Sequence, residues 1–402
     1  MKSILRVLTI SLMGIVAACT TANQEKVAQL YPVSYEIFSG WKQENFPQLI
    51  SIFSQNCQYL MKLPRNTNLG GEAGIFGGKV QDWYNSCQIA QRIPQNQPLV
   101  IKQFFETWFQ PYQYSVSTSY GKITGYYEPE FQGSEKRWGP YQTPVYARPS
   151  DLVSQPTNDG KVVSGFWNAG RITPYYTRAQ INAGILSGKG LELAWLTNPV
   201  DLFIMQIQGS GRIILPDGRM IRLAYAGKNG QPYVPLGRIM VQQGLIAPHD
   251  VNLYTMRAWL QKHPQQAKNL MDQNPNYVFF RHLEESNNNQ GPVGALGIPL
   301  TAGRSVAVDK KWIPLGVPLW VETTLPTQPN GLRRPWQHMV FAQDLGGDIQ
   351  GVNRLDLFTG WGQIAEWYAG LMKEKGKIYI LLPRQPVNST GKTDALVLPP
   401  VH

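Results

Sequence analysis

The spacing of apolar and polar positions divides the chain into a helical beginning and a strand-rich remainder. Between residues 41 and 115 apolar side chains recur at helical intervals. Leu49, Ile50, Phe53, Leu60 and Met61 form one stripe, and Trp83, Ala90 and Ile93 form another. Pro94 and the Gly-rich stretch from Gly70-Gly71 to Gly77-Gly78 interrupt these helices. From about residue 116 the runs shorten and read as strands, among them Ile123 to Tyr127, Leu202 to Ile207 and Arg212 to Leu215. Turn signals such as Asp217-Gly218 and Asn229-Gly230 separate them. Helical periodicity returns from about 236 to 273. Short strands then occupy 276 to 358, an amphipathic helix about 363 to 374, and a last strand Ile378 to Leu382. Residues 385–402 are polar and proline-bearing, and read as a disordered tail. The pattern predicts a mainly β protein with accessory helices and no internal repeat.

The first twenty residues add a destination. Lys2 and Arg6 precede an apolar stretch over 7–18 that ends in Val16-Ala17-Ala18-Cys19. This stretch is too short to span a bilayer comfortably and reads as a secretory signal. The small residues before Cys19 resemble the lipobox of bacterial lipoproteins, where the cysteine is lipidated and becomes the first mature residue. The other reading is an ordinary signal peptide with an incidental cysteine. Thr20, not aspartate, follows Cys19, and by the same resemblance this points to the periplasmic face of the outer membrane. Residues 1–18 are therefore expected to be a signal peptide and 19–40 a tether; no later segment is apolar enough to cross a membrane. Cys57 and Cys87 both fall on core-facing helical positions. In an oxidising compartment a Cys57–Cys87 disulfide is favoured over two buried thiols.

The formal charge of +11 would suit nucleic acid, but export argues against it. An anionic polymer outside the cytoplasm is the better partner, and peptidoglycan carries many peptide carboxylates. The aromatic share of 11% suits stacking on sugar rings and a β-rich core equally well.

Several chemistries are excluded by spacing. The five histidines, at 249, 263, 282, 338 and 402, never stand at i, i+4, so zinc hydrolysis and a catalytic triad lack support, and no metal or organic cofactor is expected. Gly209-Ser210-Gly211 is flanked by Gln208 and Arg212 where a nucleophile elbow needs glycines. Gly391-Lys392-Thr393 lies in the tail, with Pro386 in place of a phosphate loop's first glycine.

Carboxylates remain. Asp356 in Arg354-Leu355-Asp356-Leu357-Phe358 is the most telling. Its neighbours Leu355 and Leu357 project to the opposite face of a strand, and Phe358 shares its own face. Apolar company raises a carboxyl pKa toward the range useful to a general acid. Asp344, in Ala342-Gln343-Asp344-Leu345-Gly346-Gly347, reads equally as a turn former, as does Asp348. Asp309 before Lys310-Lys311 reads equally as a surface ion pair.

These three aspartate segments resemble the three-aspartate domain of the membrane-bound lytic murein transglycosylase A family, including Gly346-Gly347-Asp348-Ile349-Gln350-Gly351 between the last two. Four upstream segments are also similar to the family: Thr124-Gly125-Tyr126-Tyr127-Glu128-Pro129, Phe203 to Gly211, Tyr225 to Gly230, and Asn274 to Phe280. They stand in the family's order across residues 124–384. The N-terminal helical part matches only in character, and the tail is unmatched.

The resemblance implies a double-psi β-barrel domain assembled from residues 41–127 and 289–384, with a second β-rich domain inserted at 128–288 and a glycan groove between them. It implies a peptidoglycan lytic transglycosylase that cleaves between N-acetylmuramic acid and N-acetylglucosamine and leaves a 1,6-anhydro end. Asp356 would be acid and base, with Asp344 and Asp309 shaping the field. Tyr126 and Tyr127 would be stacking residues, and Gln206, Gln208 and Asn229 hydrogen-bond partners; core or turn roles are the alternative for each. Two other functions stay open at this point: a hydrolase in which Asp344 or Asp309 activates water, and a non-enzymatic lipoprotein that binds wall glycan.

Overall fold

The structure is a computed structural model that describes residues 29–69, 77–115, 120–157, 162–283, 288–327 and 332–384. Cys19, the signal segment and the tail at 385–402 lie outside the described residues.

The chain begins with β1 (Gln29–Pro32), α1 (Phe46–Leu60), α2 (Val80–Ala90), α3 (Pro98–Trp108), β2 (Phe109–Ser115) and β3 (Gly121–Glu128). Its middle holds β4 (Glu130–Ser134), β5 (Thr143–Tyr146), β6 (Val153–Pro156), β7 (Val162–Asn168), β8 (Arg171–Thr173), α4 (Arg178–Asn182), β9 (Glu192–Leu196), α5 (Pro199–Gln208), β10 (Ser210–Ile214), β11 (Met220–Lys228), α6 (Leu236–Gln242), α7 (Leu253–Lys262), α8 (Pro264–Asp272) and β12 (Val278–His282). The end supplies β13 (Ser305–Val308), β14 (Pro318–Pro326), β15 (Arg333–Leu345), β16 (Arg354–Trp361), α9 (Gly362–Leu371) and β17 (Lys373–Pro383).

Six strands close into a barrel in the order β17-β14-β15-β13-β16-β3, with β3 returning to β17. Closure depends on the length of β17. Its first residues, Lys373 to Gly376, pair with β3, and its later ones pair with β14 and β2. The pairs β3–β16 and β13–β15 are parallel in an otherwise antiparallel ring, in keeping with the double-psi expectation. A closed ring leaves no unpaired barrel edge.

Outside the barrel, the apolar stripes of α1, α2 and α3 join the barrel's own side chains in one core. Phe53, Phe104, Phe105 and Phe109 are fully buried there beside Trp83. Cys57 and Cys87 are bonded to each other between α1 and α2, with an Sγ–Sγ distance of 2.08 Å.

The expected tether over 19–40 is too long. From residue 29 the chain is part of the fold: β1 pairs with β2, and Phe38 stacks on Trp320 with ring centroids 5.3 Å apart. Phe38 and Trp41 are both buried, and two aromatic side chains gain more by packing than a free linker gains in entropy. Glu44 completes the attachment. Its carboxylate, 7% exposed by residue, accepts both Arg304 Nη atoms at 2.8 and 3.0 Å and the Met339 N–H at 2.8 Å.

The inserted part forms a six-stranded sheet in the order β12-β11-β10-β4-β9-β5, with β6, β7 and β8 as a small separate sheet. Its core is its own, built around Phe203, Met205, Ile213, Leu223 and Phe280. Leu202 to Ile207, expected as a strand, lies inside α5. A continuous apolar run fits either element, and the caps decide. Asn198 accepts the Val200 N–H, Pro199 stands at the first helical turn, and Gly209 ends the helix at φ 83°.

The chain leaves the barrel at Glu128 and comes back after β12, and one buried cluster grips both crossings. Glu128 accepts Arg212 Nε at 2.7 Å and Arg222 Nη2 at 2.8 Å. Arg212 also donates to the carbonyls of Asn288 at 2.8 Å and Gln290 at 3.0 Å, and its guanidinium lies 4.3 Å from the centre of the Trp361 ring.

Candidate active site

Asp356 sits on β16 between β13 and β3. Leu355 and Leu357 point into the barrel core, so the carboxylate of Asp356 faces outward, as strand alternation requires. Ala307 of β13 is register-paired with Asp356 on one side and with Asp344 of β15 on the other. The two aspartates therefore flank a small side chain, two strand spacings apart, or about 9–10 Å between Cα atoms.

On the other side of Asp356 stands Thr124 of β3, its direct cross-strand partner. The Thr124 hydroxyl donates to Asp356 Oδ1. Tyr126, two residues on and on the same face, donates its hydroxyl to Asp344 Oδ2 at 2.7 Å. Its ring lies 5.4 Å from that of Phe358. Asp344 Oδ1 also accepts the N–H groups of Ala295 at 3.0 Å and Leu345 at 2.9 Å. The segment near 291 covers Phe358 closely. A Cβ on Gly291 would come within 2.8 Å of the Phe358 ring and 2.4 Å of the Leu300 carbonyl, so only glycine fits.

The environments of the two carboxyls differ in kind. Asp356 keeps partial solvent contact but is crowded by protein atoms. That burial pushes it up to about 6, although the Arg354 charge and the Thr124 hydroxyl pull it down; the Asp344 charge adds to the rise and Lys122 opposes it. Burial also raises Asp344, while the Tyr126 hydroxyl and the two backbone N–H groups favour its charged form. Asp309 is further removed in role. It accepts the N–H of Lys311 at 3.1 Å and of Gly351 at 2.8 Å, so it ties the turn after β13 to the 346–351 loop.

Three expected glycan contacts are corrected. Tyr127 is 1% exposed and faces inward, because on β3 it alternates with the outward Tyr126. Gln206 is 5% exposed and held by Arg178 and by the Val278 carbonyl at 3.2 Å. Asn229 is fully buried, donates to the Tyr176 and Pro275 carbonyls, both at 2.8 Å, and accepts the Tyr277 N–H at 2.9 Å. All three satisfy buried backbone or core space and have no free face for a sugar. Gln208 is half-buried at the junction, where it accepts the Tyr127 N–H at 3.0 Å.

Sequence reasoning missed Thr124 as the partner of Asp356, although its motif was in view. It also missed two exposed tyrosines on the inserted wall. Tyr225 is 50% exposed. Tyr233 is 36% exposed and within electrostatic reach of Asp348 on the 346–351 loop, which together with burial pushes its hydroxyl up to about 12. The influence of Asp348 on Tyr233 brings the insert near the 346–351 loop of the barrel part. Among the described residues no group of three histidine, cysteine or acidic side chains has the arrangement to hold a metal.

Comparison with known proteins agrees with this architecture. A family described as the MltA specific insert domain matches residues 122–281, and the 3D domain matches residues 304–382. Membrane-bound lytic murein transglycosylase A of Escherichia coli (strain K12) is 32% identical over 319 residues, spanning 78% of this chain and 76% of that protein. The crystal structure of a membrane-bound lytic murein transglycosylase from Agrobacterium tumefaciens superposes with a TM-score of 0.76 at 32% identity, over 88% of this chain and 98% of that one. The structure of Escherichia coli MltA with bound chitohexaose gives a TM-score of 0.60 at 28% identity, over 83% and 89% of the two chains. Both matched regions follow in the order of the barrel and its insert, and the relatives are spanned over most of their length: the chain belongs to the membrane-bound lytic murein transglycosylase A family.

Proposed function

We propose that this chain is a peptidoglycan lytic transglycosylase in which Asp356 acts first as acid and then as base. Protonated Asp356 gives its proton to the glycosidic oxygen as the bond between that oxygen and C1 of N-acetylmuramic acid breaks. The carboxylate left behind takes the proton of the same sugar's C6 hydroxyl, whose oxygen closes onto C1. The product is a 1,6-anhydro end, and no water is consumed. An intramolecular hydroxyl has a large effective concentration, which offsets the lack of a protein nucleophile. Asp344, raised by burial but with the Tyr126 hydroxyl and two N–H groups favouring its charged form, in that form stabilises the positive charge that develops at C1 and raises Asp356. Asp309 acts through the loop it braces. Tyr126, Tyr225, Tyr233 and Gln208 are the groove residues on this reading.

The observation that supports it best is the contrast within one face. A carboxyl raised to about 6 sits beside a second one whose hydrogen bonds all favour the charged form. One acid is thus available where a hydrolase commonly needs two working carboxylates. Digestion of purified sacculi in heavy-oxygen water tests the reading by mass spectrometry. Anhydro ends without label are expected; one labelled oxygen at the new reducing ends would transfer the chain to the hydrolases. No cleavage at all would leave a glycan-binding lipoprotein.

The proposal includes an anchor. Lipidation at Cys19 would hold the mature chain at the periplasmic face of the outer membrane, and the family name is consistent with membrane attachment. Among the described residues no helix is long and apolar enough to cross a membrane. Cys19→Ser should release the protein from the membrane fraction. We place the inserted domain at 128–288 within a barrel domain made of the segments before and after it, in line with β4, β5 and β9–β12 forming a sheet with its own core.

A further inference from the structure

On the outer face of the barrel, Asp356 belongs to a grid of paired positions on β16, β3 and β17. One row runs Asp356–Thr124–Lys373 and the next Arg354–Lys122–Lys375. Rows are about 7 Å apart along the strands and neighbours about 5 Å apart across them. Lys122, Lys373 and Lys375 are exposed and Arg354 is half-buried. Arg354 and Lys122 act directly on Asp356, and Lys373 and Lys375 extend the cationic rows one strand further.

This arrangement works against both the fold and the acid. Like charges placed directly opposite on neighbouring strands are destabilising, and here three stand in line. Arg354 and Lys122 also pull Asp356 toward its ionised form, the form that cannot donate a proton. An anion lying across the row would relieve both effects. The glycan backbone offers none, whereas the peptide stem attached to the muramic acid carries carboxylates. That stem leaves the sugar ring whose C1 must lie at Asp356, so it starts within one sugar's width of the grid.

We propose that Arg354, Lys122, Lys373 and Lys375 form a subsite for the carboxylates of the peptide stem, making peptide-bearing strands the preferred substrate. The inference rests on the transglycosylase reading for its placement of muramic acid. Bound stem carboxylates would offset the cations, so Asp356 keeps its proton more readily in the complex than in the free enzyme, where Asp344 also raises it.

The test compares kcat/KM on strands with free stem carboxylates with that on strands whose stem carboxylates are blocked as neutral amides, for wild type and for Lys122→Gln with Lys375→Gln. Wild type should prefer the strands with free stem carboxylates at least tenfold at low salt, with the preference shrinking as salt rises. The double variant should lose most of it and melt at a higher temperature. Equal rates on the two strands in wild type, or a preference that survives both substitutions, would overturn the subsite. Loss of binding to anionic lipid vesicles with the strand preference intact would place the cations against a membrane and overturn it too. Cleavage is counted whatever the end group, so labelled, hydrolysed ends would sink the transglycosylase reading while the ratio still decided the subsite.

Discussion

Two carboxylates crowded by protein, Glu44 and Asp356, show what partners do to burial. Glu44 lies where the N-terminal segment docks on β15. Burial alone would raise it, but the His338 and Arg304 hydrogen bonds and the Arg304 charge outweigh that and hold it at about 2. At Asp356 on β16 burial wins: with the Asp344 charge it outweighs the Arg354 and Lys122 charges and the one neutral Thr124 hydroxyl, and the carboxyl stands at about 6. The first is a permanent anion that fastens a layer; the second is an acid kept within reach of its proton. Desolvation is common to both. The difference between them is made by which groups were folded in around the carboxyl.

The strongest way to break this contrast is Asp356→Asn. Turnover of murein, followed by release of soluble fragments, should fall by about a hundred-fold or more. The variant should fold, and at pH 7–8 it should be the more stable protein. The sign follows from the raised folded value: wild-type Asp356 contributes nothing unfavourable below the unfolded value near 4, and stability is lost as pH rises through about 6. Asparagine has no such loss, a gain on the order of 1–2 kcal/mol after allowing for the solvent contact Asp356 retains. An Asp356→Asn enzyme that still cleaves would move the acid elsewhere.

Glu44→Gln should do the reverse. Removing one partner of a buried ion pair destabilises by roughly 3–5 kcal/mol, visible as a lower urea midpoint, while kcat/KM well below the unfolding range stays near wild type. The pH signs are opposite as well. Glu44 stabilises fully above its unfolded value near 4, and that contribution is lost as pH falls through about 2. A variant of unchanged stability would show that the Arg304 pair contributes little.

Asp344→Asn should have a smaller effect that can be read in the pH profile. With the neighbouring charge gone, Asp356 ionises at lower pH, so the falling limb of kcat/KM near pH 6 shifts downward. Thr124→Val should move the same limb upward by a fraction of a pH unit, because the lost hydroxyl had favoured the carboxylate. Two shifts of the same sign would refute the assigned environment.

What was legible beforehand follows from the range of the interactions. Leu355-Asp356-Leu357 declared its own geometry, because alternation on one strand is a local property. The same rule separates Tyr126 from Tyr127, and applied along β3 it would have removed Tyr127 from the groove. The line Asp344–Ala307–Asp356 depends on register among three strands, one of them paired across a bulge, and no local pattern encodes it. Gln206 and Asn229 misled for a related reason: polar residues near glycines suggest a binding loop, but Gln206 is held by the Arg178 side chain and the Val278 carbonyl, and Asn229 by backbone groups of distant residues. Glu44 gave no signal, since Arg304 is 260 residues away.

The way β3 is installed bears on how the molecule is made. Both its barrel neighbours, β16 and β17, come from the end of the chain, and Thr124 meets Asp356 across 232 residues. A polypeptide is made amino end first, so β3 must wait for its first barrel partner, β16, while the whole inserted domain and β13, β14 and β15 are delivered. Contacts of such long range slow folding and leave an open edge exposed to misassociation in the interval. The insert, with its own core, and the helical layer, with cysteines only 30 residues apart, are the parts suited to organise first. The Thr124–Asp356 contact therefore forms late: β3 meets Asp356 only once β16 has been delivered, and β17 then closes the ring.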